Sequence, residues 1–249
     1  MTHNESPLLI APSWVIPGTY AENLRFLADK KEIAGVELLF FIYNDEAKAQ
    51  LDSDWEEICR YRERFIFTAH LPENLRAEHE ELVARLAPLV RHFIVHPAAE
   101  NPAAQAKLLA EWDGRCGGTR AKDGSGRGPL FLAENTFPGL LEGLLPHLGA
   151  AAGLCMDTGH LLIEGKNPAD FFIAYRERIG EIHLHSIDRK AALQDGRLPD
   201  HRRLREDEAW LAELLPLLKN YRRLINTEVF SWEEVRAGID VLRKTRTLC

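Results

Sequence analysis

The sequence predicts a single (β/α)₈ TIM barrel of the α/β class, because short apolar segments alternate with helical segments eight times along 249 residues. Most of the apolar segments are continuous rather than alternating, which is typical of parallel strands buried on both faces. No glycine-rich phosphate turn follows the first segment, "LLIAPSWVIPGTY", and this disfavours the alternative, a doubly wound open sheet. We therefore expect one domain covering residues 1–249.

Eight segments rich in β-branched, aromatic and leucine residues are predicted as strands. In chain order they are 8–15, 35–42, 64–71, 92–97, 129–136, 153–160, 181–188 and 224–230. Most stop where the run of apolar residues gives way to polar residues, glycine or proline, as in "TAHLP" and "IVHP". The carboxyl ends of these strands should meet on one face of the barrel.

The clearest helices have apolar residues at intervals of three and four. They are predicted over 20–29, 78–90, 168–179, 207–219 and 232–244. Pro168 and Asp207 lie where helices commonly begin. The glycine-rich segment 114–128 is expected to be a mobile surface loop that enters strand five on the side away from the active face.

The net charge of −7 disfavours nucleic acid as the main partner. The short basic clusters at 202–205 and 221–223 are interpreted as solvated helix surface. No apolar run approaches the roughly 20 residues that span a bilayer, and no signal peptide opens the chain, so we expect no membrane partner. The cysteines lack paired spacing and are predicted to be reduced thiols of a cytoplasmic protein: Cys59, Cys116, Cys155 and Cys249.

Side chains able to bind metal ions recur at the predicted carboxyl ends of the strands and in the loop after strand seven. They are Glu37, His70, His96, Glu134, Asp157, His160, His185, Asp188, Asp200, His201 and Glu228. Taken singly, each has a structural explanation, such as a helix cap for Asp157 or a lysine partner for Glu134. Buried carboxylates are costly unless paired or metal-bound, and imidazoles with carboxylates are the ligands of zinc, manganese and iron. Together they predict a centre for one to three divalent ions.

Strand seven offers two candidate ligands, His183 and His185, which point to the same face because they are two residues apart. The position nearer the carboxyl end favours His185. His183 is then a deeper barrel residue or a partner of a ligand.

The ordered ligand set resembles that of the xylose-isomerase-like TIM barrels, which include sugar isomerases and epimerases and the apurinic endonucleases of family 2. The resemblance covers nearly the whole chain. It implies a common core of a carboxylate, an Asp, a His and a Glu on strands five to eight. These fall on Glu134 in "LAENT", Asp157 in "MDTGH", His185 in "HLHSID" and Glu228 in "NTEVF".

The nuclease branch of this superfamily adds further histidines, which the resemblance places on His70, His96, His160 and His201. That branch has an Asp-x-His sequence after strand seven, whereas here Asp200 directly precedes His201. The enlarged set is similar to that of metal-dependent hydrolases of phosphate esters.

A narrower resemblance is to the cobamide-remodelling phosphodiesterases, carried by "APSWVIPGTYAENLRFL", "VELLFF", "TAHLP", "MDTGHLL" and "EVFSW". It implies hydrolysis of the phosphoribosyl linkage of adenosylated cobamides, releasing adenosylcobinamide phosphate and the α-riboside of the base. Trp14, Phe40 and Phe41 are then candidate contacts for a corrinoid, although barrel packing explains these aromatic residues equally well.

The leading hypothesis is therefore metal-assisted phosphodiester hydrolysis. Its expected ligands are His70, His96, Glu134, Asp157, His160, His185, His201 and Glu228. Its expected catalytic residues are Glu134, Glu228 and His160, and its expected substrate contacts are Trp14, Glu37 and Asp200. The alternatives are a sugar isomerase or epimerase with Glu134 and Glu228 as acid–base pair, a non-enzymatic corrinoid- or sugar-binding barrel, and an apurinic-site nuclease.

Overall fold

Eight parallel strands close into a barrel in chain order, with β1 paired to β8. The computed structural model describes residues 7–117, 128–136, 139–149, 152–191 and 198–247. The strands are β1 Leu8–Pro12, β2 Gly35–Leu39, β3 Ile66–His70, β4 Val90–Val95, β5 Phe131–Glu134, β6 Gly153–Asp157, β7 Ile179–His183 and β8 Leu224–Asn226. The predicted fold class is confirmed.

Helices connect consecutive strands, and their apolar faces pack with the outer faces of the strands in one large core. They are α1 Tyr20–Leu27, α2 Asp45–Arg60, α3 Glu80–Leu86, α4 Pro102–Cys116, α5 Leu140–Leu144, α6 Thr158–Ile163, α7 Pro168–Tyr175, α8 Ala209–Leu218 and α9 Trp232–Thr247. The five predicted helices are all present, and Pro168 occupies the first turn of α7 as expected. Within the described ranges, every helix is too short or too polar to cross a bilayer.

Three local predictions differ from the structure. The cap of α8 is Glu208 rather than Asp207, and the Glu208 carboxylate accepts a hydrogen bond from the Ser186 hydroxyl instead of capping the helix. The basic clusters lie in loops on either side of α8, not on a helix surface. The segment 114–128 begins inside α4, which continues to Cys116, and its residues 118–127 lie outside the described residues.

Several predicted strands continue too far at their carboxyl ends. Val15 and Phe40 are buried and apolar, yet they follow the last residues of β1 and β2. These residues pack in the core beyond the strand ends, so hydrophobicity alone does not mark where pairing ends. For the same reason His160 belongs to α6 and His185 follows β7.

The interior of the barrel is unusually polar. Branched apolar side chains fill the interior of most TIM barrels, but here several inward positions hold buried polar residues: Glu37, Thr68, His92, Glu181, His183 and Asn226. A small apolar cluster of Ile94, Leu132 and Cys155 fills part of the remaining space. Apart from His183 and Asn226, which end β7 and β8, these polar residues lie below the carboxyl ends of the strands and can support the side chains above them.

Candidate metal centre

The carboxyl ends of the strands surround a cavity of about 530 Å³. Eight residues predicted for the site line it: His70, His96, Glu134, Asp157, His160, Asp200, His201 and Glu228. Trp14, Glu37 and His185 are also predicted for the site, but they lie outside the cavity wall. The structure therefore brings together most of the predicted set.

Glu134 is central to the cavity because its two carboxylate oxygens face different partners. Oε2 lies 3.0 Å from His70 Nε2 and 2.9 Å from His96 Nε2. Oε1 lies 3.2 Å from His183 Nδ1. Glu134 is only 1% exposed, so both oxygens are withdrawn from bulk water. This carboxylate can bridge two adjacent ions.

The second set of partners forms a group of four possible ligands: Glu134, Asp157, His183 and Glu228. His183 Nδ1 lies 3.1 Å from Glu228 Oε2 and 4.0 Å from Asp157 Oδ2. A tetrahedral ion with bonds of about 2.0–2.1 Å separates its ligand atoms by about 3.3 Å. The spacing of this group therefore suits a divalent ion.

His183, and not the expected His185, completes this group of four. β7 ends at His183, and the strand register sets His183 beside Asp157 of β6. The sequence places both histidines on one face but does not give their depth in the barrel. His185 instead groups with His201 and Glu228, and its Nε2 lies 2.9 Å from Asp157 Oδ2.

Three histidines of the cavity are fixed in the same way. The Nδ1 atoms of His70, His160 and His201 lie 2.9–3.1 Å from the carbonyl oxygens of Leu71, Asn135 and Glu228, respectively. A carbonyl only accepts, so each Nδ1 carries a proton, and Nε2 is the nitrogen that can bind a metal once it is unprotonated. Metal-binding histidines commonly have this backbone support.

The "DTGH" sequence gives Asp157 two roles. Its Oδ1 accepts a hydrogen bond of 2.7 Å from the His160 backbone N–H, so Asp157 is the N-cap of α6. Its Oδ2 faces the imidazoles of His183 and His185. The helix cap and the position among the ligands are therefore properties of the same side chain.

The mouth of the cavity carries a further pair of imidazoles from α6 and from the loop after β7. His201 has a left-handed backbone conformation, with φ of 49°, and its Nε2 lies 3.9 Å from Asp200 Oδ1. His160 contributes from α6, with its Nδ1 lying 3.8 Å from Glu134 Oε1. Asp200 thus reaches the cavity even though it directly precedes His201.

Buried carboxylates and imidazoles perturb one another strongly. Burial alone would raise the pKa of Glu134, but attraction to His183 and His96 and hydrogen bonds from His183 and His70 hold it well below its usual range. Burial alone would lower the pKa of His160, but the carboxylates of Asp157 and Glu134 raise it to about 9. Protons on imidazoles therefore balance the negative charge here, and a divalent ion would compete with them.

The expected substrate contact Glu37 requires correction. It is fully buried beneath the cavity, where its Oε1 lies 3.3 Å from His183 Nε2. Its Oε2 accepts a hydrogen bond from the Asn226 amide, and burial raises the pKa of Glu37 to about 7. Glu37 therefore contacts the far side of the His183 ring and cannot reach a ligand in the cavity.

A deeper pair, His92 and Glu181, is absent from the predicted site. His92 Nε2 lies 2.6 Å from Glu181 Oε2, while Glu181 Oε1 lies 3.7 Å from His183 Nε2. Their polarity at inward positions of two strands was the available signal, because Glu181 is two residues before His183 and so shares its face.

Aromatic side chains border the cavity on the side of β1, β2 and β8. Phe41 and Phe230 line it, and Trp14 packs edge-on against Phe41 with ring centroids 6.2 Å apart. Trp14 is 39% exposed and so remains accessible beside the cavity. Phe40 has instead the packing role, since it is fully buried against Tyr20.

The charge of the cavity wall is negative. None of the described residues that line it is a lysine or an arginine. Glu73, Glu164 and Asp200 add carboxylates to those of the deeper ligand groups. Without bound cations, this wall would repel an anionic ligand.

No protein-family model and no curated protein matches the chain. Solved structures match over nearly its whole length. A structure described as "IOLI protein with a binding zinc atom" has a TM-score of 0.66 at 15% identity, covering 96% of each chain. Endonuclease IV from Thermus thermophilus has a TM-score of 0.60 at 16% identity, covering 98% of this chain and 100% of that one. An L-ribulose 3-epimerase has a TM-score of 0.61 at 13% identity, covering 97% of each chain. These neighbours are xylose-isomerase-like TIM barrels, and the likeness establishes the fold.

Proposed function

We propose that the chain is a metal-dependent phosphodiesterase that hydrolyses the phosphoribosyl linkage of adenosylated cobamides. The observation that carries the hydrolase assignment is the position of Glu134, whose two oxygens face two separate groups of ligand atoms. Two ions that share a carboxylate would supply activation of water and neutralisation of charge on phosphate oxygens. A one-ion isomerase has no evident use for the group formed by His70 and His96.

The donor set fits zinc, manganese or iron, since it combines imidazole nitrogens with carboxylate oxygens. We assign the first ion to His70, His96 and Glu134, and the second to Glu134, Asp157, His183 and Glu228. His160, Asp200 and His201 line the mouth of the cavity, and there we place the phosphate or a further ion.

The chain's own residues have distinct parts in this proposal. His160 is fixed by the Asn135 carbonyl and can exchange a proton with a phosphate oxygen at Nε2. Glu134 and Glu228 are buried, and either carboxylate can orient the attacking water. The depth of both carboxylates limits access to bulk water, which strengthens their electrostatic interactions.

The cavity wall favours a large, mostly uncharged substrate over a polyanion. Duplex DNA carries a phosphate about every 1.7 Å of its axis and is normally bound by lysine and arginine. This cavity wall offers Glu73 and Glu164 instead. Phe41, Phe230 and the adjacent Trp14 provide apolar surface suited to a corrinoid with one scissile phosphodiester. The segments that resemble cobamide-remodelling enzymes include residues at this cavity, such as His70 in "TAHLP".

A sugar isomerase or epimerase is the second candidate, and one observation favours it. Glu134, Asp157, His183 and Glu228 alone form a complete site for one ion, with Glu134 and Glu228 available as an acid–base pair. The epimerase among the structural neighbours supports the same candidate. The expected metal content differs: one tightly bound ion for the epimerase, and two or three for the hydrolase.

The decisive experiment incubates protein reconstituted with zinc, manganese or iron with an adenosylated cobamide and measures release of the α-riboside. Glu134→Gln should abolish release while the protein stays folded, because an amide cannot serve both ligand groups. Glu142→Gln, a carboxylate-to-amide change at an exposed ion pair with Lys166, is the control and should leave release unchanged. Epimerisation of a ketose without riboside release would support the second candidate instead. Nicking of apurinic DNA would support the alternative hypothesis of an apurinic-site nuclease.

The cytoplasmic location stays a prediction. The reduced state of the cysteines also stays a prediction: Cys59 and Cys155 form no disulfide with another described residue, and Cys249 lies outside the described residues.

A further inference from the structure

We propose that His185 is a positioning residue that ties the metal ligand Asp157 to the loop bearing Asp200 and His201. This inference rests on the proposed role of Asp157 as a ligand but not on the identity of the substrate. The loop, residues 198–202, returns along the segment after β7 through a backbone bridge between Ser186 and Arg202. His185 lies between the loop and the cavity floor.

One edge of the His185 ring contacts the metal group. Its Nε2 lies 2.9 Å from Asp157 Oδ2 and 3.8 Å from Glu228 Oε2. The shorter contact is a hydrogen bond in which Nε2–H donates to the carboxylate. Together with the His160 N–H on Oδ1, it fixes both oxygens of Asp157.

The other edge of the ring contacts the loop. The His201 backbone N–H donates to His185 Nδ1 over 3.0 Å. The two rings also stack, with centroids 4.3 Å apart and planes inclined by 25°. His201 Nδ1–H then donates to the Glu228 carbonyl, so the loop histidine is fixed on both sides.

The donor and acceptor roles of the two ring nitrogens of His185 differ from those of the other histidines of the site. His70, His160 and His201 donate from Nδ1 to backbone carbonyls, whereas His185 accepts a backbone N–H at Nδ1 and donates from Nε2 to Asp157. The Ser186 carbonyl lies farther from the same Nδ1, at 3.3 Å, and accepts a hydrogen bond from the Arg202 N–H. Both ring nitrogens of His185 are therefore engaged in hydrogen bonds that hold other parts of the site.

The neighbouring sequence holds the ring in this place. The Thr158 hydroxyl accepts from the His185 backbone N–H over 3.0 Å and lies 2.7 Å from the His185 carbonyl oxygen. Gly159 leaves the space that the ring occupies, since a Cβ there would lie 2.1 Å from His185 Cε1. The "TG" of "DTGH" thus serves His185, while the flanking Asp157 and His160 serve the cavity.

The test separates the two edges of the ring with two substitutions. The Asn side chain reaches the position of Nδ1, and the longer Gln side chain reaches that of Nε2. His185→Asn should keep an acceptor for the His201 N–H but lose the Asp157 contact, and His185→Gln should do the reverse. Zinc affinity, measured by competition with a chromogenic chelator, reports on Asp157. Amide hydrogen exchange of peptides covering 198–204 in metal-free protein reports on the loop.

We expect His185→Asn to weaken zinc binding by about 10- to 100-fold with the loop protected. His185→Gln should bind zinc nearly as the unaltered chain does, while the loop exchanges about fivefold faster. All variants should bind the same number of ions at saturating zinc. His79→Ala is the matched control, since His79 Nδ1 also accepts a backbone N–H, that of Arg76, in another part of the fold. Loss of a bound ion in both His185 variants, with unchanged loop exchange, would overturn the proposal and make His185 a ligand. These readouts need no cobamide, so failure of the proposed activity leaves them interpretable.

Discussion

Replacing Gly159 with alanine should damage the metal centre without touching any ligand. The added Cβ would lie 2.1 Å from His185 Cε1 and 2.5 Å from its Nδ1, whereas ordinary contacts begin near 3.4 Å. The ring must therefore move by about 1.3 Å or the helix must shift. Either change stretches the hydrogen bonds to Asp157 and His201, now 2.9 Å and 3.0 Å, beyond useful length.

The expected loss of stability follows from three contributions. Overpacking costs about 1–3 kcal/mol, and two buried hydrogen bonds contribute about 1 kcal/mol each. Replacing glycine with alanine within α6 stabilises the helix by about 0.5–1 kcal/mol, because alanine loses less conformational entropy on folding. The net loss is about 2–4 kcal/mol, which lowers Tm by about 5–15 °C for a chain of this length.

The assay is thermal unfolding of metal-free Gly159→Ala by circular dichroism, followed by zinc affinity. Gly143→Ala is the control, because Gly143 also lies in a helix, α5, and a Cβ there meets nothing within 4 Å. That variant should be unchanged or more stable by up to about 1 kcal/mol. If Gly159→Ala matched Gly143→Ala in both Tm and zinc affinity, the close approach of Gly159 to His185 would contribute neither to stability nor to metal binding, and the reasoning would be refuted.

The remaining predictions concern the support of the ligands. Glu37 accepts from Asn226 and faces His183 Nε2, so Glu37→Gln must place an N–H against one of two donors. We expect zinc affinity to fall by about 10- to 100-fold, by chelator competition, with Glu142→Gln unaffected; equal affinity would show that the His183 ring needs no partner below it. Chelation of metal should lower Tm, since an ion at 100 times its Kd stabilises the fold by about 2.7 kcal/mol, or about 5–11 °C here. Calorimetry with and without zinc checks this, and an unchanged Tm would contradict metal binding to the folded state.

The sequence predicts the barrel well because apolar strand segments and helical segments alternate regularly along it. Continuous apolar runs mark the eight strands, and the polar residues that follow them mark the cavity, including Glu134 and Asp157. The position along a strand is less certain, because residues two apart share a face at different depths. His183 and His185 illustrate this limit: only the register with Asp157 shows which one lies at the level of the carboxylates.

Contacts across the barrel were beyond sequence reasoning for a different reason. Glu37 and Asn226 are 189 residues apart and meet only because β1, between their strands, pairs with β2 on one side and β8 on the other. Glu37 therefore looked like a residue at a strand end, free to touch substrate. Glu37 is buried because the barrel closes, and no local pattern in the sequence indicates that closure.

Because the barrel closes in chain order, the two groups of the candidate metal centre depend on different stages of folding. His70, His96 and Glu134 come from β3, the residue after β4, and β5, so this group draws on three consecutive strands. The four-ligand group needs His183 from β7 and Glu228 from beyond β8, and β8 is also the strand that joins β1. Contacts of such long sequence separation form slowly, after local ones. The first group thus depends on strands that are neighbours along the chain, whereas the second depends on the closure of the barrel, whose contacts are the slowest to form.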